Sequence, residues 1–81
     1  MTEDLWDKPI ELVVENSDHF HCVSNSREAI AFLTTSWPGG RDAAYAAARR
    51  ACMKAIEGKV RTEEAQAAFI SAAEKAGILR P

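Results

Sequence analysis

His19 and His21 stand two apart in the chain, a spacing that projects both imidazoles from one face of a strand, where two such nitrogens can begin a metal site. Two ligands do not complete one. Cys22 alternates to the other face, and no further cysteine or carboxylate pair stands at ligand spacing. No metal and no cofactor is therefore expected, and the histidines read as a pair on the solvated side of a hairpin. Cys22 is placed on the dry side of the same strand, and Cys52 in the apolar stripe of a helix. There a thiol behaves as a small hydrophobe, and burial works against the thiolate that nucleophilic catalysis needs. Glu63 and Glu64 are adjacent, so on a helix they point about 100° apart and cannot form an acid/base pair. They suit the positive end of a helix dipole instead. No polar constellation at catalytic spacing remains, and the chain is not expected to be an enzyme.

Two positive features are better candidates for binding. Gly39 and Gly40 precede a helix start with Arg41 beside them, and free backbone N–H groups at such a place attract phosphate or carboxylate. The Gly-Lys-Ser/Thr element of a phosphate-binding loop is missing, so the signal has low specificity. Arg49, Arg50 and Lys54 decorate the outside of the same helix, Arg50 and Lys54 being four apart on one face. Cations in that arrangement serve phosphate contacts, or simply solvate the helix.

These side chains need elements to carry them. Residues 1–9 read as an N-terminal arm with Trp6 as its anchor, and residues 10–81 as one domain. The run Ile10-Glu11-Leu12-Val13-Val14-Glu15 alternates as a half-buried strand, with Ile10, Leu12 and Val14 inward. Asn16-Ser17-Asp18 supplies a turn, and residues 19–24 return as the second strand of an antiparallel hairpin, with Phe20 and Cys22 on one face and His19, His21 and Val23 on the other. Asn25 or Ser26 caps a short helix bearing Ala29, Ile30, Leu33 and Trp37. With Asn25 at the cap, Glu28 stands at the third helical position and can reach back to it. Trp37-Pro38-Gly39-Gly40 stops that helix, since proline cannot continue it and the glycines permit positive φ. Asp42 caps a second, alanine-rich helix whose stripe runs through Ala44, Tyr45, Ala48, Ala51, Cys52, Ala55 and Ile56 to a stop at Gly58. Thr62 is expected to cap a third helix, buried through Ala65, Ala68, Phe69, Ala72, Ala73 and Ala76 and ended by Gly77, after which Ile78 and Leu79 fold back onto the core. The fold class is α+β: a hairpin followed by three helices, ββααα, in a single compact domain.

Charge is unevenly spread. Residues 1–18 carry Glu3, Asp4, Asp7, Glu11, Glu15 and Asp18 against Lys8, a local balance of −5, while residues 41–61 carry six cations against Asp42 and Glu57, a balance of +4. Such a split complements itself or guides a charged partner. The overall pI of 5.6 argues against a nucleic-acid binder. No apolar run approaches the roughly 18 residues that cross a bilayer, and the acidic start lacks the features of a signal peptide, so a cytoplasmic protein with reduced thiols and no membrane contact is expected.

The Trp37-Pro38 break after a short helix, the Cys52 to Gly58 spacing and the Ala65-Gln66-Ala67-Ala68-Phe69-Ile70 run closing in Ala72-Ala73-Glu74-Lys75-Ala76 resemble a family of small alphaproteobacterial proteins catalogued as the domain of unknown function numbered 982. The resemblance spans about residues 10–79. It implies a single compact domain and carries no activity, cofactor or catalytic residue. The function expected is a non-enzymatic interaction module meeting a protein partner or a second copy through the hairpin edge or an exposed helix face. The alternative is nucleic-acid or anion binding through Gly39, Gly40, Arg41, Arg49, Arg50 and Lys54.

Overall fold

The computed structural model describes residues 5, 6, 8–13, 20–38 and 40–79. Strands β1 (Ile10–Val13) and β2 (Phe20–Val23) pair antiparallel, and helices α1 (Ser26–Thr35), α2 (Ala43–Ile56) and α3 (Thr62–Ala76) follow in the expected order. The turn at 16–18, Val14 and His19 lie outside the described residues.

Register decides which side of the hairpin is dry. Ile10 faces Val23 and Leu12 faces His21, so these four share one face, and Ile10, Leu12 and Val23 are buried while Glu11 and Val13 are exposed. Because side chains alternate strictly, one choice of register fixes every position. The expected faces of β2 are therefore exchanged: Cys22 is exposed on the outer side with Glu11, and His21 stands on the core side. His21 tolerates this at the rim of the sheet, where its ring lies 4.8 Å from that of Phe32 while the residue itself stays exposed.

The chain closes the other edge of β1 with its own end. Val13 N–H donates to the Ile78 carbonyl at 2.7 Å, and Leu79 bridges Leu12. The fold-back of Ile78 and Leu79 is thus a third, very short strand contact that blunts an edge otherwise open to pairing.

Local signals set the helix ends. Asn25 Oδ1 accepts from Glu28 N–H at 2.8 Å, and Asp42 Oδ1 accepts from Tyr45 N–H at 2.9 Å, so both expected caps are in place. The Glu28 carboxylate reaches back one residue further than the cap, accepting from Ser24 N–H at 2.9 Å and Ser24 Oγ at 2.8 Å. α1 stops at Thr35, and the half-buried Trp37 turns back over Phe32 and Tyr45. α3 begins one residue earlier than expected: Arg61, not Thr62, is the extended residue at its head, with no side-chain cap bond, and Thr62 is already helical. Glu63 and Glu64 occupy its first turn, where the dipole favours them.

Small residues govern helix packing. α2 turns Ala48, Cys52 and Ala55 inward, and α3 answers with Ala65, Ala72 and Ala73. α2 lies against both α1 and α3. Large side chains fill what remains: Trp6, Phe32, Phe69, Tyr45, Leu33 and Leu12 form the buried cluster with these alanines.

Two predictions follow from these ends. Gly77 closes α3 at φ 73°, whereas Gly40 has no positive φ, and a Cβ at either position meets nothing within 4 Å. Gly77→Ala should therefore cost about 1–2 kcal/mol through the backbone alone, and Gly40→Ala should stay within about 0.5 kcal/mol of neutral. Urea denaturation of the pair checks the contrast. Glu28 is held below the ordinary carboxylate range, chiefly by the Ser24 backbone bond, then by the Ser24 hydroxyl, with a smaller contribution from the His21 charge. Its charge-dependent stabilisation is thus complete above the unfolded value, about 4.3, and disappears as pH falls through the lower folded value. Glu28→Gln should lose less stability than the wild type between about pH 5 and pH 3, as followed by thermal melts.

Candidate functional site

Along α2 the residues Tyr45, Arg49 and Met53 recur at four-residue spacing, so they form one row, with Ala46 and Arg50 in the neighbouring row. The rows enclose an open cleft of about 360 Å³ lined by Tyr45, Ala46, Arg49, Arg50 and Met53. Tyr45 is its floor. That residue is buried, its hydroxyl donates to the Leu33 carbonyl at 2.8 Å, and its backbone N–H is held by Asp42. Met53 is 43% exposed and offers a flexible, polarisable apolar surface.

Cations surround this floor. The Arg41 guanidinium stands 5.5 Å above the Tyr45 ring, a cation–π arrangement. Arg49 and Arg50 flank the cleft, and Lys54 follows in the last turn, where the helix dipole favours it. Among the described residues, Arg49, Arg50 and Lys54 have no carboxylate within 4 Å. The Lys59–Glu57 pair, at 3.6 Å with both side chains more than half exposed, is worth little.

The candidate residues divide accordingly. Arg41, Arg49 and Arg50 gather around Tyr45, Lys54 lies beside them, and Gly40 is exposed outside the cleft. Gly39 lies outside the described residues. At the proposed anion pocket, the Asp42 carboxylate stands at the head of α2 and already holds one of its N–H donors. Met53 and the floor role of Tyr45 escaped the sequence reading, which placed Tyr45 in the buried stripe and passed over Met53. The signal was present as apolar, basic, apolar at positions 45, 49 and 53.

Away from α2, no group of three His, Cys, Asp or Glu suited to a metal occurs among the described residues. Of the His19–His21 pair, His21 is exposed and His19 lies outside the described residues. Cys52 is fully buried as expected, and Cys22 is exposed. No helix among the described residues is long and apolar enough to cross a membrane.

Residues 8–80 match the family described as Protein of unknown function (DUF982), and the chain belongs to it. No curated protein and no solved structure matches the chain.

The two thiols should differ sharply toward an aromatic disulfide reagent. Native protein is expected to take up one equivalent, at Cys22, and Cys22→Ser none; Cys52 should react only as the domain unfolds. A Cys22 that stays unreactive in native protein would contradict the exchanged faces of β2, and labelling of Cys52 there would contradict its burial.

Proposed function

We propose that this member of the family is a non-enzymatic, cytoplasmic interaction module whose docking face is the outer side of α2. The observation that carries the reading is the cleft on that helix, where exposed Met53 and Ala46 lie between Arg49 and Arg50. Arg and Met are side chains enriched where proteins meet. An apolar strip between cations suits an acidic protein segment, since the strip supplies contact area and the cations supply steering and register. Tyr45 adds rigidity from beneath, because its hydroxyl and backbone N–H are both engaged. A docking face that need not reorganise loses less entropy on binding.

The hairpin edge is the other surface for association. Ile78 and Leu79 already occupy β1 at Val13 and Leu12, so pairing in trans would have to use β2.

The same cations also suit a nucleic-acid phosphate backbone, and one experiment separates the readings. Immobilised wild-type chain and the triple variant R49E/R50E/K54E are exposed to nuclease-treated and untreated lysate. Protein retained by the wild type after nuclease treatment, and lost in the variant, supports the docking reading. Retention that nuclease abolishes supports the nucleic-acid alternative. Equal retention by both chains would remove α2 from the function.

A further inference from the structure

We infer that the α2 cleft receives one helix of an acidic protein partner, a helix that carries apolar side chains seven residues apart with two adjacent carboxylates between them. The inference rests on the docking reading above and adds the form and pattern of the occupant.

Spacing is the first argument. Ala46, Arg49, Arg50 and Met53 stand at positions i, i+3, i+4 and i+7 of α2 and are all exposed, so they share one face along two turns of the helix. Helices that meet side by side do so through this spacing. Along the axis the face reads apolar, basic, basic, apolar, and the rise from Ala46 to Met53 is about 10.5 Å. Any helix laid against it at a small crossing angle has the same rise between its own positions i and i+7. A partner with the charge reversed, apolar at i and i+7 and acidic at i+3 and i+4, therefore matches all four positions, whichever way it runs. The local balance of +4 over residues 41–61 steers such a partner toward this side.

Shape is the second. Tyr45-Arg49-Met53 and Ala46-Arg50-Lys54 are neighbouring ridges of residues four apart, and the cleft of about 360 Å³ is the groove between them. Helices pack by laying a ridge of one into such a groove of the other, at an axial separation of about 8–10 Å. Ala43, Ala46 and Ala47 are exposed at the head of the face, which leaves the groove low-walled there. A partner backbone can come close.

Backbone chemistry is the third, and it separates a helix from an extended segment. The main-chain groups in the middle of α2 are bonded within the helix, so the cleft has no free N–H or C=O with which to pair a strand. An extended peptide lying over Met53 would leave its own amides unpaired against an apolar surface. A helix arrives with its amides already bonded. Its carboxylates then meet Arg49 and Arg50, and its apolar side chains cover Met53, which is 43% exposed and for which a phosphate backbone has no counterpart.

Fluorescence anisotropy with defined probes and the full-length chain tests this. The helical probe is a labelled peptide of about 15 residues, stapled on its far face because free helices of that length are marginal in water. It carries Leu at i and i+7, Glu at i+3 and i+4, and Ala and Gln elsewhere. The second probe differs in a central proline and the lack of a staple, which break the helix, and the third is a single-stranded oligonucleotide. Wild type should bind the helical probe more tightly than either of the others. R49Q/R50Q should bind it about tenfold more weakly, as two exposed ion pairs are lost. Ala46→Gln keeps every charge but fills the groove, and should also weaken the helical probe. Glutamine is a good helix former, so both variants should keep the wild-type circular dichroism. No binding of the helical probe, tighter binding of the broken peptide or the oligonucleotide, or unchanged affinity in either variant would each overturn the inference. So would self-association of the wild type that R49Q/R50Q abolishes, since a second copy would then fill the groove. If the helical probe does not bind yet the wild type still retains a lysate protein through α2 after nuclease treatment, the helix proposed here falls and the docking reading stands.

Discussion

Everything in this domain leans on the ring of Phe69. Trp6 approaches it at 5.6 Å, Trp37 at 6.2 Å and Phe32 at 6.4 Å between ring centroids, so the N-terminal segment, the junction after α1, α1 itself and α3 all meet at one side chain. A chain of this size buries only about 60% of the surface it exposes when unfolded. Alanine-rich helices add little apolar volume, and a few aromatic rings must supply the rest. Offset and edge-on contacts of this kind add to simple burial. They also fix direction, since a tilted ring admits fewer arrangements than an aliphatic chain.

Seen this way, the Trp37-Pro38 junction does more than end a helix. Proline stops α1 after Thr35, and the chain then lays Trp37 edge-on to Phe32, 6.0 Å away, and beside Tyr45 at 5.8 Å. The indole Nε1 is buried there without a hydrogen-bond partner among the described residues, a cost that the surrounding ring contacts outweigh in a folded domain. The same placement brings Tyr45 under the start of α2, where its hydroxyl ties α2 to the Leu33 carbonyl of α1. The break, the aromatic cluster and the floor of the cleft are therefore one piece of construction.

How much of this was legible in the sequence follows from the range of each interaction. The helices, their inward stripes and the caps at Asn25 and Asp42 are local, set by period and by side chains within three or four residues, and they read correctly. The faces of β2 did not. Phe20-His21-Cys22-Val23 places apolar residues in both parities, Phe20 with Cys22 and Val23 with His21, so alternation alone cannot choose; the pairing of Val23 with Ile10 chooses. The Leu79–Leu12 bridge joins positions 67 apart in the chain, and nothing local announces it. The head of α3 was misread by one residue because threonine is a good cap wherever it stands, whereas the observed cap position is fixed by the extended backbone of Arg61. At the candidate site the cations were legible as charge. The cleft was not, because it depends on Met53 being left uncovered, which only the packing of α2 against its neighbours determines.

That packing also explains why the basic patch sits where it does. The inward face of α2 is consumed by Ala48, Cys52 and Ala55, and a helix lined with such small residues lies too close to its neighbours for a charged side chain to be accommodated between them. Arginine and lysine are forced outward. At the head of the helix the Asp42 carboxylate already answers the positive end of the dipole, so an added anion meets a like charge there and finds its attraction further along, at Arg49 and Arg50. An arginine in the middle of a helix is not stabilised by either terminus, and here it is not matched by a neighbouring carboxylate among the described residues. The cations can therefore engage an acidic partner without first breaking an internal ion pair, and the apolar strip between them gives such a partner a register along the helix that charge alone would leave undefined.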